Sequence, residues 1–181
     1  LQSCGPNNSY NVVNFTRGGS IVGSAAQWQC VELVMRYLML AWGATPYAAN
    51  GSQIVSNWNS SVAGIKTITT SNNIGQDGND VPSVGDVVSF GNGSDAGHTA
   101  IITDVRKGSG TGNYSFTIFQ QNVGGLPVLD SSDVWMTNYQ MIVKSGIGLD
   151  TNIMGWLHQQ NGNMQAYMAG INPPNSDKQV F

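Results

Sequence analysis

The chain has 181 residues, the length of one domain, and a domain of this size buries roughly 70% of its unfolded surface. Charged residues make up only 9% of the chain, and the formal net charge is −3. These values argue against nucleic-acid binding or attachment to an anionic membrane, and the sequence has no cluster of Lys and Arg that would support either.

The first twenty residues are polar and rich in Gly and Asn, which predicts a loosely structured lead-in at 1–20. We assign residues 21–181 to a single domain, because no internal repeat or long linker divides them. The apolar stretch from Val31 to Trp42 is too short to cross a bilayer and contains two charged residues. We therefore expect no membrane insertion.

Helical spacing of apolar residues predicts a first helix over 25–42, and Gly43 is expected to end it. Ser24-Ala25-Ala26-Gln27 fits a capping box, which would begin this helix more than one turn before Cys30. The pattern therefore predicts a long amphipathic helix early in the chain.

A second short helix is predicted over 48–61, with Ile54, Val55 and Trp58 facing inward, and Gly- and Asn-rich loops follow it. The rest of the chain predicts strands, at 86–91, 98–105, 114–121, 134–144 and 153–158. Turn residues separate the first three strands and predict an antiparallel meander. Helices followed by a sheet indicate an α+β domain.

A thiol and an imidazole lie in separate segments of this pattern. Cys30 stands in the helical segment, and His98 opens a strand-like run. A thiolate is the nucleophile of a thiol hydrolase, and an adjacent imidazole makes it available near neutral pH. Cys30 and His98 are therefore candidates for nucleophile and base. His158 competes for the second role, but we interpret it as structural or exposed.

Several motifs in one order carry a family resemblance: Gln29-Cys30-Val31-Glu32-Leu33, Pro82-Ser83-Val84-Gly85-Asp86, Gly97-His98, and a strand ending in Gln121-Asn122. Over roughly residues 20–160 the chain resembles the CHAP family of cysteine, histidine-dependent amidohydrolases/peptidases. The resemblance implies a papain-like α+β core with N-terminal helices packed on an antiparallel β-sheet. It also implies that Cys30 starts its helix, where the helix dipole lowers a thiol pKa.

The resemblance further implies that an amide after the third strand orients His98. Strand alternation places Gln120 and Asn122 on one face, and either could accept the Nδ1 proton of His98, leaving Nε2 toward the thiol. Gln120 stands where the family often has a carboxylate, so the orienting group here is neutral. We expect Gln120 to take this role, and a triad of Cys30, His98 and Asn122 is the alternative.

Three further residues are candidates for binding substrate or the oxyanion. Gln27 and Gln29 lie beside Cys30, and one of them could help its backbone N–H hold the developing oxyanion, although both could equally be surface amides. Gly97 would let a substrate backbone approach His98, and its alternative interpretation is a turn glycine.

Other polar residues are interpreted as structural. Glu32 and Arg36 are four residues apart on the helix, the spacing of an ion pair. Asp77-Gly78-Asn79-Asp80 lacks the interleaved spacing of a calcium loop and predicts a polar turn. Cys4 is expected to be unpaired, because a disulfide with Cys30 would consume the nucleophile. No metal site or cofactor is expected.

The resemblance implies a secreted or cell-surface bacterial hydrolase that cleaves amide or peptide bonds in peptidoglycan. The bond would be that of an N-acetylmuramoyl-L-alanine amidase or of an endopeptidase. We expect the peptidoglycan peptide as substrate, a monomer, and no nucleic-acid partner. Two alternatives remain open at this point: a glutathionylspermidine-type amidase with the same mechanism, and a catalytically silent CHAP module that binds a surface.

Overall fold

The computed structural model describes residues 12–59, 62–69, 80–91, 96–123, 128–145 and 152–160. One α-helix, one 3₁₀ turn and nine strands lie within these ranges. In chain order they are β1 Val12–Arg17, β2 Ser20–Ala26, α1 Cys30–Trp42, the 3₁₀ turn Gly51–Gln53, β3 Ile65–Thr69, β4 Val87–Phe90, β5 His98–Lys107, β6 Tyr114–Phe119, β7 Val128–Thr137, β8 Gln140–Val143 and β9 Ile153–Gln159.

Seven strands form one antiparallel sheet in the order β3-β9-β4-β5-β6-β7-β8, and β1 and β2 form a separate hairpin. The predicted meander is confirmed, because β4, β5 and β6 are consecutive antiparallel neighbours. The strand predicted over 134–144 is instead the end of β7 and all of β8. Asn138 and Tyr139 turn the chain between them with positive φ.

The α+β mixture is confirmed, but the prediction of several N-terminal helices is wrong. Among the residues that the structure describes, α1 is the one α-helix. The described part of the segment predicted as a second helix contains only the 3₁₀ turn. Ile54 and Val55 are nevertheless buried, as predicted. Short apolar runs do not distinguish a helix from a buried turn, since either satisfies the same inward-facing positions.

The start of α1 decides between the two sequence interpretations. Ser24 lies in β2, so the capping-box interpretation is wrong, and the helix begins at Cys30 as the family resemblance implied. Gly43 ends the helix with a left-handed φ of 69°, and a backbone N–H of this cap bonds the carbonyl of Leu38. The hairpin also occupies residues 12–20, where a loosely structured lead-in was predicted.

Two apolar clusters cover opposite faces of the large sheet. Neighbouring residues alternate between them, as strand geometry requires: Ile102 and Trp156 belong to one cluster, and Ile101 and Leu157 to the other. The sheet cluster comprises Ile68, Val88, Phe90, Ala100, Ile102, Phe116, Ile118, Val123, Val134, Met136, Val143, Ile153 and Trp156. The helix cluster comprises Phe15, Leu33, Val34, Met35, Leu38, Trp42, Ala44, Ile54, Val55, Val87, Ile101 and Leu157.

Burial of one α1 face therefore attaches the helix to the sheet beside the start of β5. Leu38 is 1% exposed, and burying a leucine side chain contributes roughly 1.5–3 kcal/mol. Leu40, on the opposite face, is exposed. The packing places the first residue of α1 next to the first residues of β5, which brings the two candidate catalytic segments together.

Candidate active site

Cys30 is presented by a tight turn between β2 and α1. Trp28 adopts a positive φ of 64°, which reverses the chain after the hairpin. Gln29 then returns to an extended conformation and accepts the first helical hydrogen bond, from the N–H of Leu33 at 3.3 Å. The next residue is Cys30, so the thiol lies at the positive end of the helix.

The Cys30 side chain is buried and surrounded by backbone donors. The N–H groups of Thr99, Val31 and Cys30 itself interact with its sulfur and favour the thiolate. Burial is the larger effect, however, and raises the pKa of the Cys30 thiol above its ordinary value. The direction is opposite to the lowered pKa predicted from the helix dipole, because the site is more desolvated than a helix terminus at the surface.

His98 is the first residue of β5, and its backbone is tightly enclosed. A Cβ added to Gly51 would lie 2.7 Å from the His98 Cα, and one added to Gly97 would lie 2.5 Å from the Ser52 Cβ. The N–H of Ser52 also bonds the carbonyl of Ala96 at 3.2 Å. The 3₁₀ turn thus packs directly on the backbone that carries the imidazole.

The imidazole of His98 is held by Gln120 through Nε2. Its Nε2 lies 3.0 Å from the Oε1 of Gln120, and an amide oxygen can only accept, so Nε2 carries the proton. The expectation that the amide would bond Nδ1 is therefore wrong. The Nε2–H tautomer leaves Nδ1 as the nitrogen that can accept a proton from the thiol.

Burial lowers the pKa of His98 to about 4, and the hydrogen bond to Gln120 opposes part of this shift. A neutral imidazole is consequently the dominant form near pH 7. Because the pKa of the Cys30 thiol is raised, the thiol and the imidazole are both neutral in the free protein. His98 is therefore suited to remove the Cys30 proton while the sulfur attacks, as a general base.

Alternation along β5 predicts that His98 shares a face with Ala100 and Ile102 and that this face packs on α1, but the second expectation is wrong. Ala100 and Ile102, on the same face, belong to the sheet cluster, whereas Ile101 belongs to the helix cluster. The His98 ring also lies against Phe90, with ring centroids 5.9 Å apart. The imidazole lies at the start of β5, where it lines the same cavity as Cys30.

Gln120 and Asn122 do not share a strand face, because β6 ends at Phe119. Asn122 has a positive φ of 66° in the turn that follows. Its Nδ2 donates to the Oε1 of Gln29 at 2.8 Å, beside the thiol-bearing turn. Of the two amides proposed to orient His98, the structure places Gln120 against the imidazole and Asn122 against Gln29.

Cys30 and His98 open together into a cavity of about 670 Å³. Gln29, Gly97 and Asn122, three other predicted site residues, also line it, whereas Gln27 does not belong to the lining that the described residues form. Small residues form much of the remaining wall: Ser24, Ala25 and Ala26 from the hairpin, Ala48, Ala49 and Gly51 near the 3₁₀ turn, and Ala96 before β5.

The CHAP domain family model matches residues 21–122, more than half of the chain, from within β2 to Asn122. The chain belongs to the CHAP domain family. This family comprises hydrolases of the peptidoglycan amidase and peptidase type. Neither the curated proteins nor the solved structures compared with the chain include a match.

This CHAP domain uses residues that the sequence interpretation did not assign to the site. Gly51 and Ser52 pack on the His98 backbone, and Gln121 joins the turn after β6 to the start of α1. Three consecutive amides after an apolar strand were the visible signal for Gln121. No comparable signal existed for Gly51, because its role depends on a contact with a segment that is distant in sequence.

His158 lies elsewhere in the CHAP domain and bonds a carboxylate. Its Nδ1 lies 2.7 Å from the Oδ2 of Asp86, which also accepts from the N–H of Ser83 at 2.8 Å. The other oxygen of Asp86 accepts from the N–H of Gln159 at 3.2 Å. Burial raises the pKa of Asp86, and these donors counteract part of the shift. This arrangement is the structural role interpreted for His158, since it joins β9 to the start of β4.

The remaining expectations concern metals, membranes and ion pairs. Within the described ranges, no cluster of three or more potential metal-binding side chains occurs. Cys4 and Asp77 to Asn79 lie outside those ranges, and Asp80 pairs with Lys66. Arg36 Nε lies 3.0 Å from Glu32 Oε1, which confirms the predicted ion pair. No described helix has the length and apolarity to cross a membrane.

Proposed function

We propose that this CHAP domain is a cysteine hydrolase that cleaves an amide or peptide bond in the peptide part of peptidoglycan. Cys30 is the nucleophile, His98 is the general base and acid, and Gln120 orients the imidazole. One observation carries the proposal: the Nε2–H of His98 is held by Gln120 beside a cavity that His98 shares with Cys30. The proposal requires no cofactor.

The first half-reaction forms a thioester. Nδ1 of the neutral His98 takes the Cys30 proton while Sγ attacks the substrate carbonyl carbon. Oxygen charge develops near the start of α1, where the Cys30 backbone N–H and the Gln29 amide are donors. Collapse of the tetrahedral intermediate breaks the carbon–nitrogen bond, and His98 gives its proton to the leaving amine.

The second half-reaction consumes water. His98, neutral again, takes a proton from a water molecule that attacks the thioester carbonyl. The carbon–sulfur bond breaks, the acid product forms, and the proton returns through His98 to the Cys30 sulfur. Gln120 keeps the same ring nitrogen toward the reacting atoms in both halves, which is the reason for assigning it a positioning role.

The family supports the proposed substrate, and the composition supports the proposed location. CHAP membership supports a peptidoglycan-type amide, and the wall of small residues fits a slender peptide chain near Cys30. The low content of charged residues is typical of proteins that act outside the cell, so we place the reaction there. The bond cleaved is either the N-acetylmuramoyl-L-alanine amide or a bond within the peptides.

Digestion of purified peptidoglycan tests this function. Mass spectrometry of the released fragments will identify the new amino termini, and therefore the bond. We expect Cys30→Ala and His98→Ala to lower the rate about a thousandfold or more while remaining folded. The exposed ion-pair variant Asp104→Asn should match the wild type.

Two results would contradict the proposal. Wild-type protein that releases no new amino termini from peptidoglycan would exclude this substrate. A folded His98→Ala variant with wild-type turnover would exclude His98 as the base. In the same assay, His158→Asn should mainly lower the thermal midpoint, because its imidazole bonds the buried Asp86 and does not line the cavity.

A further inference from the structure

Glu32 is a buried carboxylate two residues after the proposed nucleophile. Its residue is 2% exposed, and its Oε1 lies 3.0 Å from the Nε of Arg36. A buried carboxylate is costly unless its oxygens are paired, and Arg36 satisfies only part of this requirement. The second oxygen, Oε2, accepts a longer bond from Arg36 Nη2 at 3.4 Å and has a closer partner from a distant segment.

That partner is Gln121, the residue directly after Gln120. The Nε2 of Gln121 donates to Glu32 Oε2 at 3.1 Å and to the carbonyl oxygen of Gln29 at 3.3 Å. Gln29 precedes Cys30, and Gln121 is 6% exposed. One amide group therefore connects the turn that carries Gln120 to both sides of the thiol-bearing residue.

The connection has a direct geometric consequence for the reaction. Cys30 is placed by the start of α1, whereas His98 is oriented by Gln120 from the turn after β6. The covalent chain does not fix these two segments against each other, since 89 positions separate Glu32 from Gln121. The contact between Glu32 and Gln121 sets the distance between the two segments. In such a site a shift of about 1 Å can cost a hundredfold in rate.

We propose that Glu32 and Gln121 are positioning residues for the reaction, acting as one unit that aligns the His98 imidazole with the Cys30 thiol. This inference rests on the proposed function, because alignment matters only if the pair reacts. Arg36 balances the charge of the Glu32 carboxylate inside the protein, and the carboxylate holds the Gln121 amide. Gln121 in turn keeps Gln120 at the distance from α1 that His98 requires.

A double-mutant cycle tests whether the two residues act together. Glu32→Gln keeps the side-chain shape but replaces one acceptor oxygen with an NH2 group, and Gln121→Met keeps the length but removes the donor. Each should lower kcat about tenfold and leave KM within about twofold. The double variant should lose no more than the larger single loss, because both changes break the same contact.

A second measurement does not depend on any substrate. The ring-nitrogen NMR shifts of His98 report the Nε2–H tautomer, and we expect each variant to reduce the population of that tautomer. Asp104→Asn is the matched control, since it removes an exposed carboxylate from an ion pair with Arg106 and should change neither kcat nor the His98 shifts.

The outcomes separate the two proposals. If wild type does not cleave peptidoglycan, the proposed function fails, and the NMR measurement still decides whether Glu32 and Gln121 orient His98. Multiplicative kcat losses would overturn the inference. It would also be overturned if the variants had lower thermal midpoints with unchanged kcat and His98 shifts, because that pattern identifies a structural pair alone.

Discussion

Gln120 gives His98 a neutral hydrogen-bond acceptor, at the position where the family resemblance led us to expect a carboxylate. The amide is 1% exposed, so its contact with Nε2 is shielded from water. An amide selects the Nε2–H tautomer as well as a carboxylate does, but it stabilises a positive imidazolium less. The Gln120 bond therefore opposes only part of the shift that burial causes, and the pKa of His98 stays lowered, at about 4.

Substitution at Gln120 should separate orientation from charge. We expect Gln120→Ala to lower kcat about a hundredfold, because the ring loses the acceptor that selects its Nε2–H tautomer. Gln120→Glu should retain turnover and raise the pKa of His98, since a carboxylate favours the imidazolium. Steady-state kinetics and NMR titration of His98 measure these effects.

Asn122→Ala is the matched control for the Gln120 series. Asn122 bonds Gln29, whereas the imidazole bonds Gln120, so loss of the Asn122 amide should lower kcat less than about tenfold. A large loss from Asn122→Ala beside an unaffected Gln120→Ala would reverse this assignment. The triad would then be Cys30, His98 and Asn122, the alternative that the sequence left open.

Three short elements bring the proposed reacting groups together. The β1–β2 hairpin ends in the turn before Cys30, the start of α1 holds the thiol, and the 3₁₀ turn supports the His98 backbone. Gly51 is a point of very close approach, since a side chain there would meet the backbone of β5 and not a flexible side chain. The 3₁₀ turn is therefore a support for the site as well as part of the fold.

The Gly51 contact predicts a strong effect from one methyl group. A Cβ at Gly51 would lie 2.7 to 2.8 Å from three His98 backbone atoms, so Gly51→Ala must displace the 3₁₀ turn or β5. We expect about 1–3 kcal/mol of lost stability and about a tenfold lower kcat. Chemical denaturation and steady-state kinetics measure the two quantities.

Gly43→Ala, at the C-terminal end of α1, provides a comparison for Gly51→Ala. Gly43 has a φ of 69°, and a Cβ added there would meet no atom within 4 Å, so an alanine introduces backbone strain without a clash. The variant should lose about 1 kcal/mol and keep its kcat. Equal kcat losses at Gly43 and Gly51 would show that the effect at Gly51 is general destabilisation.

The whole domain is stabilised by two apolar clusters that share the central strands. β4, β5 and β9 each contribute to both clusters, so loss of packing on one face weakens the other. The candidate active site lies at the edge of the helix cluster, with His98 facing the sheet cluster. Because burial disfavours the charged imidazolium, protonation of His98 is coupled to the stability of the folded protein.

This coupling predicts how stability depends on pH. The folded pKa of His98, about 4, lies below the ordinary 6.5, so the unfolded chain binds more protons at this residue between these pH values. The free energy of unfolding should therefore fall as the pH is lowered from 6.5 to about 4. Protonation of His98 should lower the free energy of unfolding by about 3 kcal/mol at most.

Urea denaturation of wild type and His98→Gln across this pH range measures the effect. The difference between the two proteins isolates His98, because the other acidic groups are common to both. A wild-type stability that rises relative to His98→Gln on acidification would contradict a neutral imidazole. It would instead indicate an imidazolium held by the Cys30 thiolate.

Local chemistry in the chain was enough to predict much of this domain. Apolar spacing predicted the body of α1 and the β4–β6 meander, because helix and strand periods depend on nearby residues. The order of the motifs around Cys30, His98 and Gln120 indicated the family, which the family model confirms, and the candidate site residues. The i,i+4 pair of Glu32 and Arg36 was also predictable, since both residues lie on one helical turn.

Contacts between distant segments settled the rest. The ring nitrogen that faces Gln120, the separation of Gln120 from Asn122, and the approach of Gly51 to His98 all depend on how strands and turns pack. The raised pKa of Cys30 likewise depends on burial in the completed fold, which its position in the helix does not reveal. Periodicity describes which way a residue faces along its own element, whereas desolvation and hydrogen-bond partners depend on what the completed fold places opposite it.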